Sequence, residues 1–211
     1  DFAAEVLALP PEVYIGEQLD VVDPDAIHQV RQALRRDLAE HLKAALRHTY
    51  DNLTVTGTYS PDAVSAGRRS LRNLCLAYLM ETHDPDVRHL CDAQLKQADN
   101  MTDALSALTS LANCDCPERL PALAAFYDKW QNEPLVVDKW LGVQAGSRLP
   151  ETVEAVRQLT THPAFDLKNP NKVYALIGSF GGNQVNFHAA DGRGYAWMAE
   201  QIAALDPVNP Q

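Results

Sequence analysis

Long hydrophobic runs are missing from this 211-residue sequence. Its uninterrupted apolar stretches are only a few residues long, whereas a helix needs about 20 to cross a bilayer, so no membrane-spanning helix is expected. Cysteine is scarce. Four in the whole chain do not make a disulfide framework, and a reducing compartment is the expectation. Positive charge is in deficit, with 18 Lys and Arg against 28 Asp and Glu and a net charge of −10. A field of that sign repels phosphate backbones and anionic lipid, which excludes nucleic acid and membrane surfaces as expected partners. The opening Asp1-Phe2-Ala3-Ala4-Glu5 carries neither an initiator Met nor a basic and apolar signal segment. We therefore expect an excised piece or a processed product of a longer polypeptide. The apolar share of 46% is enough for a sizeable core, and the length suits one domain.

Catalytic signatures are lacking too. None of the histidines at 28, 41, 48, 83, 89, 162 and 188 begins a His-Glu-x-x-His, the spacing that puts two imidazoles on one helix face to hold zinc. No Gly-x-Ser-x-Gly elbow, phosphate-binding Walker loop or complete Gly-x-Gly-x-x-Gly occurs. Gly192-Arg193-Gly194 lacks the third glycine and a preceding strand.

What is present is helical periodicity. Ile27, Val30, Leu34, Leu38, Leu42 and Leu46 recur at spacings of three and four with charged residues between them, which predicts one long amphipathic helix over residues 24–50. Leu71, Leu74, Cys75, Tyr78 and Leu79 repeat the pattern, as do Val87, Leu90, Cys91 and Leu95, then Leu105, Leu108 and Leu111. Proline marks the expected first turns at Pro24, Pro61, Pro85, Pro117, Pro134, Pro150 and Pro170. Asp23, Ser60, Asp84 and Asn169 stand before four of them as N-caps. Asn100 followed by Asp103 adds a partial capping box. Residues 53–59 are β-branched but short, and read as an extended loop. The expected fold class is all-α, an α-α superhelix in which antiparallel helix pairs stack into a solenoid over residues 1–211.

Several groups could carry chemistry. The two thiols of Cys114-Asp115-Cys116 could share a metal, but a structural zinc site pairs two Cys-x-x-Cys-type knuckles or adds histidines, and the other cysteines, Cys75 and Cys91, lie on apolar helix faces, so loop and core thiols are the expectation. His41 and His48 share one face of the long predicted helix, and His83 and His89 flank a helix start; both pairs read as surface groups. Residues 179–195 are rich in Gly, Asn and aromatics. Ser179, His188 and Asp191 there could form a hydrolytic triad, but three roles within thirteen residues is poor geometry. An ordered loop is the expected state, with Asn side chains satisfying loop amides.

Six motifs carry a family resemblance. Asn100-Met101-Thr102-Asp103-Ala104-Leu105, Tyr127-Asp128-Lys129-Trp130 and its echo Val137-Asp138-Lys139-Trp140, Asn169-Pro170-Asn171-Lys172, Leu176-Ile177-Gly178-Ser179-Phe180, and Phe187-His188-Ala189-Ala190-Asp191-Gly192 before Gly194-Tyr195 run in order along the chain. The opening Asp1-Phe2-Ala3-Ala4 and the Arg72-Asn73 pair fit as well. Together they resemble the C-terminal helical domain of bacterial aminopeptidase N, a zinc metallopeptidase family with a thermolysin-like catalytic domain. The resemblance implies a fragment truncated at both ends of a larger cytoplasmic enzyme. It also implies that zinc, its ligands and the catalytic residues lie in the absent catalytic domain, which is the expected partner. This chain would have no catalytic residue, metal or cofactor of its own. It would close over the catalytic domain and limit access to an internal cavity that admits peptides.

In such a domain, basic and polar side chains line the cavity on the side of the departing peptide, and residues 169–174 match that region. Here Lys172 and Tyr174 stand where the enterobacterial pattern is richer in arginine. The candidate substrate-channel residues are therefore Asn171, Lys172 and Tyr174. Lys172 would attract a peptide carboxylate and Tyr174 would pack on a side chain; the alternative is a solvated first-turn lysine and a core tyrosine. The paired Asp-Lys-Trp motifs are expected to bury each Trp near a helix end and leave each Asp–Lys pair at the surface. Two other functions remain open: a free-standing helical-repeat scaffold that binds a protein, and an independent hydrolase using His188 and Asp191.

Overall fold

The computed structural model describes residues 2–54 and 57–208. Among them every regular element is helical, as expected. The chain divides into two compact units, Asp1–Glu118 and Arg119–Gln211.

The first unit contains α1 (Phe2–Leu7), α2 (Glu12–Gly16), α3 (Pro24–His41), α4 (Lys43–Asn52), α5 (Ala63–Leu79), a 3₁₀ turn at Met80–Thr82, α6 (Pro85–Gln97) and α7 (Met101–Ala112). The helix expected over residues 24–50 is broken at Leu42, whose φ of −102° and ψ of 8° leave the helical region. The break re-aims α4 so that Leu46 and Tyr50 are buried in its packing against α5. His41 and His48 consequently stand on different helices; the first bonds the Asp37 carbonyl and the second Asn52. Asp23 and Asp84 cap α3 and α6 as predicted, accepting from the N–H groups of Ala26 and Asp86. The cap of α5 is Asp62 rather than Ser60. Its carboxylate takes the N–H groups of Val64 and Ser65, because a cap must reach the unpaired donors of the first turn. Of the loop expected at 53–59, Val55 and Thr56 lie outside the described residues, and the rest carries no regular element.

The apolar core of this unit is built on α5, with Cys75, Leu76, Tyr78 and Leu79 buried, against Cys91 of α6 and Ala107, Leu108 and Leu111 of α7. Each such leucine taken out of water contributes about 2 kcal/mol. Through the core runs a polar chain. Arg72 donates to the Tyr50 hydroxyl at 2.7 Å, which donates to Gln94 Oε1 at 2.9 Å. Gln94 donates to Asn73 Oδ1 at 2.8 Å and to the Asp103 carbonyl at 3.1 Å, and Asn73 donates to the Asp103 carboxylate at 2.8 Å. The Arg72-Asn73 pair and the Asn100–Asp103 box, separate motifs in sequence, are thus one network in space. Asn100 both caps α7 through the Asp103 N–H and donates to the Asp103 carboxylate.

The second unit contains α8 (Arg119–Trp130), α9 (Pro134–Ala145), α10 (Thr152–Leu159), α11 (Pro170–Val173), α12 (Ser179–Gly181), α13 (Gln184–Phe187) and α14 (Arg193–Leu205). Between α11 and α12 the helix widens to π-type turns over Tyr174–Gly178. Leu141, Val153, Val156, Leu176, Phe180 and Trp197 are fully buried here. The rings of Phe180 and Trp197 meet edge to face at 4.8 Å, the arrangement aromatic quadrupoles favour.

Candidate functional site

Residues 169–174 are placed by Asn169, whose side chain accepts the Asn171 N–H at 3.0 Å, and by Pro170 in the first turn. Successive residues of a helix rotate by about 100°, so Lys172 and Tyr174 point to opposite sides. Lys172 turns inward. It is 8% exposed, and its Nζ donates to Asp138 Oδ1 at 2.6 Å and to the Pro134 carbonyl at 3.1 Å. Both acceptors belong to the first turns of α9. Tyr174 turns outward at 75% exposure, and Asn171 is exposed as well. Lys172 is therefore no solvated lysine and Tyr174 no core aromatic. The partner that sequence reasoning missed is Asp138, which lies within one of the resembling motifs but gives no sign of its pairing.

The two Asp-Lys-Trp motifs are not equivalent. Trp140 is buried and donates its indole N–H to the Leu123 carbonyl at 2.9 Å, with Tyr127 and His162 stacked around it at 4.8 Å and 5.2 Å. Trp130 is only half-buried, under the Lys129 ammonium at 5.2 Å. Asp128 and Lys129 are exposed, whereas Asp138 faces Lys172. The expectation of two surface Asp–Lys pairs and two buried tryptophans holds for half of each motif.

The stretch 179–195 is not one long loop; α12, α13 and the start of α14 lie within it. Asn183 donates to the carbonyls of Ala145 at 2.9 Å and Ser147 at 2.7 Å, and Asn186 donates to Ser147 at 3.0 Å. These amides fill the last carbonyl of α9 and the Ser147 carbonyl of the loop that follows it, to which the Thr152 hydroxyl also donates at 2.9 Å. Gly194 is required where α14 crosses α13: a Cβ there would run into the backbone carbonyls of Asn186 and Phe187. The triad is not assembled. His188 Nδ1 bonds the Tyr195 hydroxyl at 2.6 Å, and Asp191 is turned to the N–H and guanidinium of Arg193.

Cys114 is buried and Cys116 half-buried. Burial, together with its contact with Cys114, pushes the Cys116 thiol up to about 12. Among the described residues no three His, Cys, Asp or Glu side chains gather in a group that could hold a metal.

Comparison with known proteins matches residues 1–211 to a family described as "Domain of unknown function (DUF3458_C) ARM repeats". The chain belongs to this family of helical repeats. Its sequence is 41% identical to aminopeptidase N of Escherichia coli over 99% of the chain and 24% of that protein. It is 38% identical to aminopeptidase N of Caulobacter vibrioides, over 99% of the chain and 24% of that protein. The crystal structure of Legionella pneumophila aminopeptidase A in complex with aspartic acid superposes with a TM-score of 0.89 at 34% identity, covering 98% of this chain and 25% of that one. This member of the DUF3458_C family thus spans about a quarter of the length of the relatives it matches, their C-terminal quarter. The resemblance drawn from the six motifs and the all-α solenoid class are both borne out. No helix among the described residues is long and apolar enough to cross a membrane.

Proposed function

We propose that residues 1–211 act as one helical solenoid domain, the C-terminal non-catalytic part of a zinc aminopeptidase that removes N-terminal residues from peptides in the cytoplasm. In this reading the domain closes over the catalytic domain of the same polypeptide and limits access to an internal cavity. The observation that carries it is the 41% identity to aminopeptidase N along 99% of a chain in which no three potential metal ligands gather among the described residues. Zinc then belongs to the remainder of the polypeptide, and no chemical step runs through the residues described here.

The substrate-channel role of Asn171, Lys172 and Tyr174 is part of the same proposal, with unequal shares. Asp138 offsets the charge of Lys172, so its pull on a peptide carboxylate is weakened and its main effect is to hold the helix start in place. Contact with a departing peptide falls to the exposed Tyr174 and Asn171.

Hydrolysis of aminoacyl anilides by the 211-residue chain alone, with and without zinc, tests the domain assignment; no turnover is expected in either condition. Turnover that survives chelation and repurification would overturn it and direct attention to His188. In the intact enzyme, Tyr174→Ala should raise KM for tripeptides while leaving KM for a short anilide unchanged. Equal effects on both substrates would remove Tyr174 from the channel.

A further inference from the structure

The first unit holds a cavity that the proposed function does not use. It measures about 260 Å³, and Tyr59, Arg69, Arg72, Gln97, Asp99 and Asn100 form much of its wall. At about 30 Å³ per water molecule it has room for a small organic ion.

The wall holds two guanidiniums, Arg69 and Arg72, and two carboxylates, Asp99 and Asp103, and they are not paired alike. Arg72 has a counter-charge, Asp103, at 3.9 Å, and its guanidinium lies over the Tyr50 ring. Asp99 is exposed to water and accepts from the Asn100 amide. Arg69 is different. It is 4% exposed, it sits 4.8 Å above the Tyr59 ring, and among the described residues its single hydrogen bond runs from Nη2 to the Ser60 carbonyl at 2.9 Å. No carboxylate among the described residues pairs with it. A guanidinium carries five N–H donors and stays protonated. Arg69 thus holds a little-exposed guanidinium whose remaining donors are free toward the open space beside it.

We infer that this cavity is a binding site for a small monocarboxylate, held by the Arg69 guanidinium with Arg72 alongside. A carboxylate is planar, and its two oxygens match the donor fork of arginine. Arg69 is the guanidinium in the wall without a carboxylate partner among the described residues, and a single negative charge would supply one. A phosphate dianion would bring its second charge against Asp99 and Asp103, which share the wall. Backing for the site is rigid, because Arg72 is tied into the Tyr50–Gln94–Asn73–Asp103 network.

The test is a titration of the intact protein, labelled with nitrogen-15 arginine, with sodium acetate at constant ionic strength. The Nε–H resonances of Arg69 and Arg72 report occupancy, and the exposed neighbour Arg68 is the internal control. Saturable shifts at Arg69 and Arg72 with a shared midpoint are expected. An ion of four heavy atoms binds weakly, so that midpoint should lie on the order of 10 mM. Arg69→Lys keeps the charge but loses the fork and should weaken binding about tenfold. The inference is overturned by shifts that rise linearly, by equal shifts at Arg68 and Arg69, or by saturation unchanged in Arg69→Lys. Tighter saturation by inorganic phosphate would overturn it too. The wild-type titration with its Arg68 control decides the matter even where the variant does not fold.

Discussion

Lys172 Nζ and Asp138 Oδ1, 34 positions apart in sequence, meet at 2.6 Å with 10% and 17% of their side chains exposed. The pair joins the start of α11 to the first turns of α9, and the Pro134 carbonyl fills a second donor of the ammonium. Removing one partner leaves the other charge partly buried and unpaired, so Lys172→Met should destabilise the protein by about 2–3 kcal/mol. Combining Lys172→Met with Asp138→Leu should recover much of that loss, since a buried ion pair is often replaceable by packed apolar groups. Urea unfolding of the two single variants and the double variant measures the coupling. Additive losses would show that the two charges do not act as a pair.

The pair also shows where reading the sequence stops. Helix starts are local chemistry, and the caps at Asp23, Asp84 and Asn169 and the Asn100–Asp103 box were legible because donor and acceptor lie within three residues. The break at Leu42 was not, because the apolar period of Leu38, Leu42 and Leu46 runs straight through it and a one-residue turn leaves no mark in that pattern. At the candidate site, the residues 169–174 could be named and a helix predicted. Which of Lys172 and Tyr174 faces inward depends on an acidic partner in another helix, and one sequence does not record that pairing. The same holds for Asn183 and Asn186, whose amides are expected to satisfy loop backbone and do so at Ser147, in a distant loop, while Asn183 also donates to the last carbonyl of α9.

Gly194 and Gly192 separate two reasons for a glycine. At Gly194 a Cβ has no space, being blocked by the backbone of Asn186 and Phe187. Gly192 has open space but a φ of +76°. Gly194→Ala should therefore cost about 3 kcal/mol or more, because backbone must move. Gly192→Ala should cost only about 1 kcal/mol of left-handed strain. Thermal melting ranks them, and Gly192→Asn should lie closer to wild type than Gly192→Ala.

Asp84 gives the acid side of the stability profile. Lys43 donates to its carboxylate at 2.7 Å and the Asp86 N–H at 2.9 Å, which together hold its carboxyl below the ordinary 3.8. Asp62 is held well below the usual carboxylate range by Ser60 and Ser65. A carboxyl that is more acidic folded than unfolded stabilises the fold fully above the unfolded value. That contribution is lost as pH falls through 3.8 toward the lower folded value. Stability should thus drop between about pH 5 and pH 2, with a shallower drop in Asp84→Asn. Both groups are open to solvent, so raising ionic strength should weaken the Lys43 component. An unchanged slope in Asp84→Asn would remove Asp84 from this account.

The four thiols predict a chemical result. Cys75, Cys91 and Cys114 are 1%, 0% and 3% exposed. Burial pushes the thiols of Cys75 and Cys91 upward, the second strongly, and Cys116 stands near 12. Only the thiolate attacks a disulfide reagent. At pH 8 a thiol of pKa about 12 is ionised on the order of a thousandfold less than an ordinary cysteine. Ellman's reagent should accordingly find no fast-reacting thiol in the folded protein, with Cys116 reacting slowly and the other three only after unfolding in urea. A single fast thiol that disappears in Cys116→Ser would show that the surroundings of Cys116 lower its pKa rather than raise it.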